Sequence, residues 1–249
     1  MNFLSIFLAI GCILASMILE GTHPGIMINL PAFLVVVGAS FCASLVQTGM
    51  GIAMAAFKCF VWLISPPRLN TASQVELLVS MSTTARQQGL LALENSIGSA
   101  NDDFTRDGIQ MIVDGVPQEQ LKALLENAID IEQAKLTPSF KFWEAFGGYS
   151  PTMGIIGAVL GLIHAMSLLD RPDLLGPSIA VAFVATIYGL VTANIICLPA
   201  SGRIKSIAEE MAVFKYMTLD GLGSIASGEN TMMMKRRMAI YTGQKEEGG

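Results

Sequence analysis

Pro151-Thr152-Met153-Gly154-Ile155-Ile156-Gly157-Ala158-Val159-Leu160-Gly161-Leu162 lies inside a longer run, Ala145 to Leu169, that holds no Asp, Glu, Lys or Arg and has His164 as its one histidine. A helix rises about 1.5 Å per residue, and a bilayer core about 30 Å thick needs about 20 apolar residues to cross it. The run is long enough. A soluble helix of this length would show a charged face opposite an apolar one; this run has none. It reads as a transmembrane span. Its glycines recur at helical steps, with Ala158 and Ala165 extending the stripe, and a small-residue face of this kind lets helices approach closely in lipid.

Three more stretches of the same character flank it. Phe3 to Leu19 is uncharged, Ala32 to Ala53 lies in an uncharged interval, and Leu174 to Gly202 contains no Asp, Glu, Lys or Arg. The last has its own small-residue stripe: Ala182, Thr186, Gly189 and Ala193. The whole composition agrees. Of 249 residues, 52% are hydrophobic and only 14% charged, against about 25% charged in a typical soluble domain. The mean hydropathy is +0.56. A soluble enzyme and a disordered chain are both excluded on these grounds. A net charge of −5 excludes nucleic acid as a partner, because nucleic-acid binding rests on clustered positive charge. The fold class is all-α: a polytopic membrane protein with four transmembrane helices and a helical cytoplasmic domain. Ala9-Ile10-Gly11-Cys12 only faintly resembles a lipoprotein cleavage site, so the first span is expected to be retained.

Positive charge sets the orientation. Fourteen of the fifteen Lys and Arg residues lie either between the second and third spans or after the fourth, and only Arg171 lies in a short connection. Those two segments, and with them both termini, are therefore cytoplasmic. The expected organisation is residues 1–57 as transmembrane helices 1 and 2, 58–144 as a cytoplasmic helical domain, 145–202 as transmembrane helices 3 and 4, and 203–249 as a cytoplasmic C-terminal helix and tail. In the cytoplasmic portion, Leu121, Leu124, Leu125 and Ala128 recur as the stripe of an amphipathic helix, and Ile204, Ile207, Ala208, Met211 and Phe214 repeat it. Asn101-Asp102-Asp103 reads as the N-cap of a short helix. The chain from about Thr242 reads as a polar tail.

No Asp, Glu, Lys or Arg lies in any span. A protein that carries cations across a bilayer by itself usually needs an intramembrane carboxylate, so either this chain conducts nothing or a partner supplies the carboxylate. The four cysteines are scattered and form neither a disulfide framework nor a metal site. No nucleophile–base pair or phosphate loop is visible, so no enzymatic activity and no cofactor is expected. Several residues admit two readings. The small-residue stripes serve either packing among the chain's own helices or the docking of another subunit's helix. His164 is either hydrogen-bonded to a neighbour or part of a proton relay. Thr186 either bonds the Ala182 carbonyl, as helical threonines often do, or lines a wet path. Pro151 opens the third span. Pro199 marks either a kink or a break at the end of the fourth.

The Pro151–Leu162 stretch closely resembles the third-span motif of the MotA/PomA family of flagellar stator proteins. Ala180-Val181-Ala182-Phe183-Val184-Ala185-Thr186-Ile187-Tyr188-Gly189 resembles its fourth span, and Ala85-Arg86-Gln87-Gln88-Gly89-Leu90-Leu91-Ala92-Leu93-Glu94 its cytoplasmic signature. The resemblance covers nearly the whole chain. The ExbB and TolQ energisers share the third-span pattern but are not expected to carry the Arg86–Glu94 stretch; such an energiser, or a self-contained small-solute channel or transporter, is the alternative. The resemblance implies a multi-pass protein of the bacterial inner membrane, a ring of five copies around two MotB/PomB-like single-span, peptidoglycan-anchored subunits, and contact with the rotor protein FliG. It implies an ion pathway and partner-helix face at Ala158, Gly161, Ala182, Thr186 and Gly189, conformational coupling at Pro151 and Pro199, and rotor contact at Arg86 and Glu94. On one continuous helix the last two would stand two turns apart and about 80° around the axis. Sodium-driven relatives typically carry a threonine at the position of Ala158 besides the one matching Thr186. Here Ala158 and Ala185 leave the path short of oxygens, and the implied ion is H+, with Na+ as the alternative.

Cysteines placed near His23 and Asp173 should be labelled by an impermeant maleimide from outside the cell, and one at Gln118 should not. Strong external labelling at Gln118 would invert the topology.

Overall fold

The structure, a computed structural model, describes residues 2–100 and 102–242. Asn101 and the polar tail beyond Thr242 lie outside those residues. No strand occurs among the described residues. The helices are α1 (Asn2–Leu19), α2 (Leu30–Thr48), α3 (Met50–Phe60), α4 (Thr71–Gln88), α5 (Asp103–Val113), α6 (Gln118–Met166), α7 (Pro172–Ala226) and α8 (Thr231–Thr242). Of these, α2, α6 and α7 are long and apolar enough to cross a membrane, and α1, at 18 residues, reaches about 27 Å. The chain divides into two compact units, Met1–Pro66 with Leu136–Ile207, and Pro67–Lys135 with Ala208–Gly249.

The first unit holds the apolar helices. The run expected as one span from Ala32 to Ala53 is interrupted at Gly49, whose backbone sits at φ 83° and ψ 158°. That conformation is open to glycine and strained for any residue with a Cβ. Gly49 donates its N–H to the Leu45 carbonyl at 2.7 Å, closing α2, and α3 starts afresh. Where these helices meet α6, Phe41, Phe57, Phe142, Trp143 and Phe146 form an edge-on aromatic cluster, with Phe57 and Trp143 at 5.0 Å between centroids and Phe41 and Phe142 at 6.0 Å. The Trp143 indole N–H donates to the Ala56 carbonyl at 3.1 Å, the partner that a buried indole requires.

Pro151 does not open a helix. It lies deep inside the 49-residue α6, as Pro138 does. A proline lacks the N–H that its helix needs, but membrane helices tolerate it where side-chain hydroxyls and neighbours satisfy the freed backbone. On either side of it Ser150 Oγ donates to the Phe146 carbonyl at 2.7 Å and Thr152 Oγ1 to the Tyr149 carbonyl at 2.7 Å; the carbonyl that loses its N–H partner to Pro151 is that of Gly147, four residues back.

The second unit is a helical bundle. Leu78, Met81, Leu93, Ile109, Ile112, Leu121, Leu125, Ile129, Met217 and Leu222 form its core. The buried stripe of α6 is Leu121, Leu125 and Ile129; Leu124 and Ala128, expected with it, are exposed. A step of four held throughout selects one side of the helix. Asp102 caps α5 through its carboxylate and the Thr105 N–H, 2.8 Å apart. Buried Gln74 donates its amide to Thr105 Oγ1 at 2.8 Å and Thr218 Oγ1 at 3.2 Å, tying α4, α5 and α7 together. The Lys215 ammonium pairs with Glu132 and stands 5.4 Å above the Phe104 ring. On α8, Tyr241 donates to Asp220 at 2.6 Å; burial, and then that carboxylate, push its hydroxyl up to about 12.

Candidate functional site

The third and fourth spans, the C-terminal half of α6 and the N-terminal half of α7, meet almost backbone to backbone. A Cβ added at Gly161 would lie 2.9 Å from the Ala182 Cα, and one at Gly154 3.1 Å from the Ala185 carbonyl oxygen. At Gly189 it would lie 2.6 Å from the Ser150 carbonyl oxygen and 3.1 Å from the Pro151 Cα. At Gly161 and Gly189 these distances are shorter than real Cβ contacts allow, so only hydrogen fits, and at Gly154 the contact is tight. The stripes on the two spans are thus consumed by one another. Of the five residues expected on a partner face, Gly161 and Ala182 touch each other, and Gly189 touches Pro151. Ala158 and Thr186 stay half-buried and keep side-chain surface.

Thr186 does not bond the Ala182 carbonyl. Several other hydroxyls of the apolar helices bond back along their own helix, Ser44 to Ser40 at 2.8 Å, Thr48 to Ser44 at 2.8 Å and Ser178 to Leu174 at 2.9 Å, although among the described residues buried Ser40 Oγ also lacks a partner. Among the described residues the Thr186 hydroxyl has no partner. Nor does the side chain of His164, which is exposed rather than tied to a neighbour. It stands at a cavity of about 510 Å³ that also touches Pro31, Val35, Gly161 and Pro177.

Sequence reasoning missed Tyr188. Its hydroxyl donates to the Met27 carbonyl and accepts from the Asn29 N–H at 3.2 Å, fastening the turn between α1 and α2 to the fourth span. Ala32, Val36, Ala185 and Tyr188 pack as a small cluster behind it. A tyrosine in an apolar run signals such a bond, since a buried phenol seeks a partner, but the run does not say which. Tyr149 likewise donates to Gln47 on α2 at 2.9 Å.

Pro199 does not end the helix. α7 passes through a π-helical stretch, Thr192–Cys197, and continues to Ala226. The wider turn sits where proline withholds an N–H and its ring presses on the preceding turn, the two recognised sources of a helix kink. A groove of about 330 Å³ beside it is lined by Ser5 and Ala9 of α1 with Asn194, Pro199 and Arg203. Arg86 and Glu94 belong to the other unit and are both exposed. They are not on one helix. Gly89 terminates α4 at φ 87° and a 3-10 segment, Leu90–Ser99, follows. The two-turn geometry expected for the pair therefore does not hold.

Comparison with known proteins supplies the relatives. The profile of the MotA/TolQ/ExbB proton channel family matches residues 96–215, and that of the motility protein A N-terminal region residues 3–89. Motility protein A of Helicobacter pylori is 32% identical over 238 residues, 96% of this chain and 93% of that protein. Chemotaxis protein PomA of Vibrio alginolyticus is 28% identical, covering 92% of this chain and 89% of its own. The C. jejuni MotAB structure superposes with a TM-score of 0.92 at 27% identity, over 99% of this chain and 96% of that one. The flagellar MotAB stator complex of Bacillus subtilis gives 0.90 at 26% identity, over 96% and 94%.

Gly189→Ala should destabilise the protein by about 1–3 kcal/mol, because the colliding atoms are backbone and the helices must part; this outweighs the roughly 1 kcal/mol that alanine gains in helix propensity. Gly202→Ala, whose Cβ meets nothing within 4 Å, should not. Thermal melting of both variants in detergent checks this, and an unchanged midpoint for Gly189→Ala would contradict the close contact.

Proposed function

The chain belongs to the motility protein A family, within the MotA/TolQ/ExbB proton channel family, and from the geometry of its third and fourth spans we propose how it performs that family's work. It is a membrane-embedded stator subunit that couples ion flow to flagellar rotation and works in an oligomeric complex with a MotB-type partner. One observation carries the mechanism: two helices packed backbone to backbone, with no Asp, Glu, Lys or Arg from 145 to 169 or from 174 to 202.

Such a pair is stiff and cannot itself bind a cation, so the partner's transmembrane helix supplies the carboxylate and this chain supplies the wall. Thr186 and Ala158 are the wall residues with free side-chain surface; Gly161, Ala182 and Gly189 set the spacing of the helices that carry them. The translocated ion is a proton. Sodium needs several oxygens at close range as it sheds water, and here Ala158 leaves the Thr186 hydroxyl without a hydroxyl neighbour at that position, while Ala185 is buried against α2. Pro151, pressed against Gly189, and Pro199, beside the π turn, are the points where the two helices yield when the partner carboxylate changes charge. Arg86 and Glu94 meet the rotor protein FliG. Five copies surround two partner subunits in the bacterial inner membrane, embedded in lipid, with both termini in the cytoplasm.

Swimming should persist when external sodium is replaced by potassium and stop within seconds of adding a protonophore. Speed that rises from zero with sodium at a fixed proton-motive force would overturn the proton assignment.

A further inference from the structure

The turn between Arg86 and Glu94 carries exposed apolar side chains that the charges do not account for. Gly89, at φ 87°, swings the chain out of α4 into the 3-10 segment Leu90–Ser99. Leu93 is fully buried in the core of that unit, which fixes the roll of the segment. A 3-10 helix turns once in three residues with about 2 Å rise each, so side chains at i and i+3 eclipse. Leu91 and Glu94 therefore stack on one face, about 6 Å apart along the axis. Leu91 is 73% exposed and Leu90 37%.

Magnitudes separate the contributions. An exposed ion pair alters an equilibrium by at most about fivefold, whereas burying one leucine side chain alters it by about ten- to a hundredfold. Charges of both signs at the rim of an apolar centre are the ordinary anatomy of a protein interface. We propose that Leu91 is the apolar anchor of the rotor contact. It seats in an apolar hollow on the rotor protein that is edged by one acidic and one basic side chain, which meet Arg86 and Glu94. The proposal rests on the reading of Arg86 and Glu94 as rotor-facing. The charges then steer and orient the encounter, and the leucine holds it.

The test uses the full chain with its partner in swimming cells. A photo-cross-linking amino acid at position 91 should give an adduct recognised by antibody to the rotor protein. Leu91→Ser should lower the number of fluorescently tagged stators held at each motor about tenfold or more at equal membrane abundance, and Leu91→Met should recover most of it. Should Leu91→Ser accumulate poorly, the cross-link at 91 decides. Normal recruitment of Leu91→Ser while Arg86→Glu with Glu94→Lys fails would overturn the anchor and leave the charge contact standing. Adducts from probes at 86 or 94 but none from 91 would do the same. No adduct from any of the three, with every variant recruited normally, would remove the rotor-facing reading itself.

Discussion

At Gly189 the fourth span comes so near the third that a single added carbon would stand 2.6 Å from a carbonyl oxygen. In lipid no hydrophobic force draws two helices together, and association depends on dispersion contacts, which fall off steeply with distance. Hydrogen in place of side chains at Gly154, Gly161 and Gly189 makes that nearness possible over more than two turns. Much else in the membrane unit follows from it. With the two spans locked, α2 can pack across them through Val36 and Tyr188, and the surface left over is narrow and set by which residues point away from the shared seam.

The same contact explains why a proline can lie in the middle of α6. Pro151 is held from outside by Gly189, and the flanking Ser150 and Thr152 hydroxyls bond the Phe146 and Tyr149 carbonyls of the same helix. A helix that has lost a backbone bond is easier to bend, and one pinned at that point bends only if its neighbour moves too. On α7 the compensation takes another form, a π turn ahead of Pro199. Pro151 and Pro199 thus each mark a weakened turn on one of the two long helices, braced differently, and in the proposed cycle these are the turns that deform.

The sequence made the helices, their apolar runs and the close-packing stripes legible, because charge and glycine spacing are local signals. What those stripes touch was not legible: a glycine face fits its own chain and a foreign helix equally well, and only the register of α6 against α7 decides. Gly49 and Gly89 each ended a helix that periodicity carried through, since an apolar or helical pattern says nothing of one residue's φ. The Leu124 and Leu125 pair shows the same limit at the level of a face. Both fit a stripe, and packing against Leu222 and its neighbours buries one. Tyr188 was quoted as part of a motif, but its partners lie about 160 residues away in the chain.

Thr186 and Tyr188 stand two residues apart on one helix and have opposite fates. Tyr188 gives and receives a hydrogen bond and serves as a fastener. Thr186 could bond its own helix at almost no cost, as Ser44, Thr48, Ser150 and Ser178 do, yet it does not. A hydroxyl left unpaired in apolar surroundings costs about 1–3 kcal/mol, and water or a partner's oxygen would recover that. Positions two apart on a helix point about 200° from each other, so the side that fastens the chain and the side that offers an open hydroxyl are nearly opposed. The proposed ion route needs that separation: the wall is held from behind, and its one polar group is free to meet what passes in front.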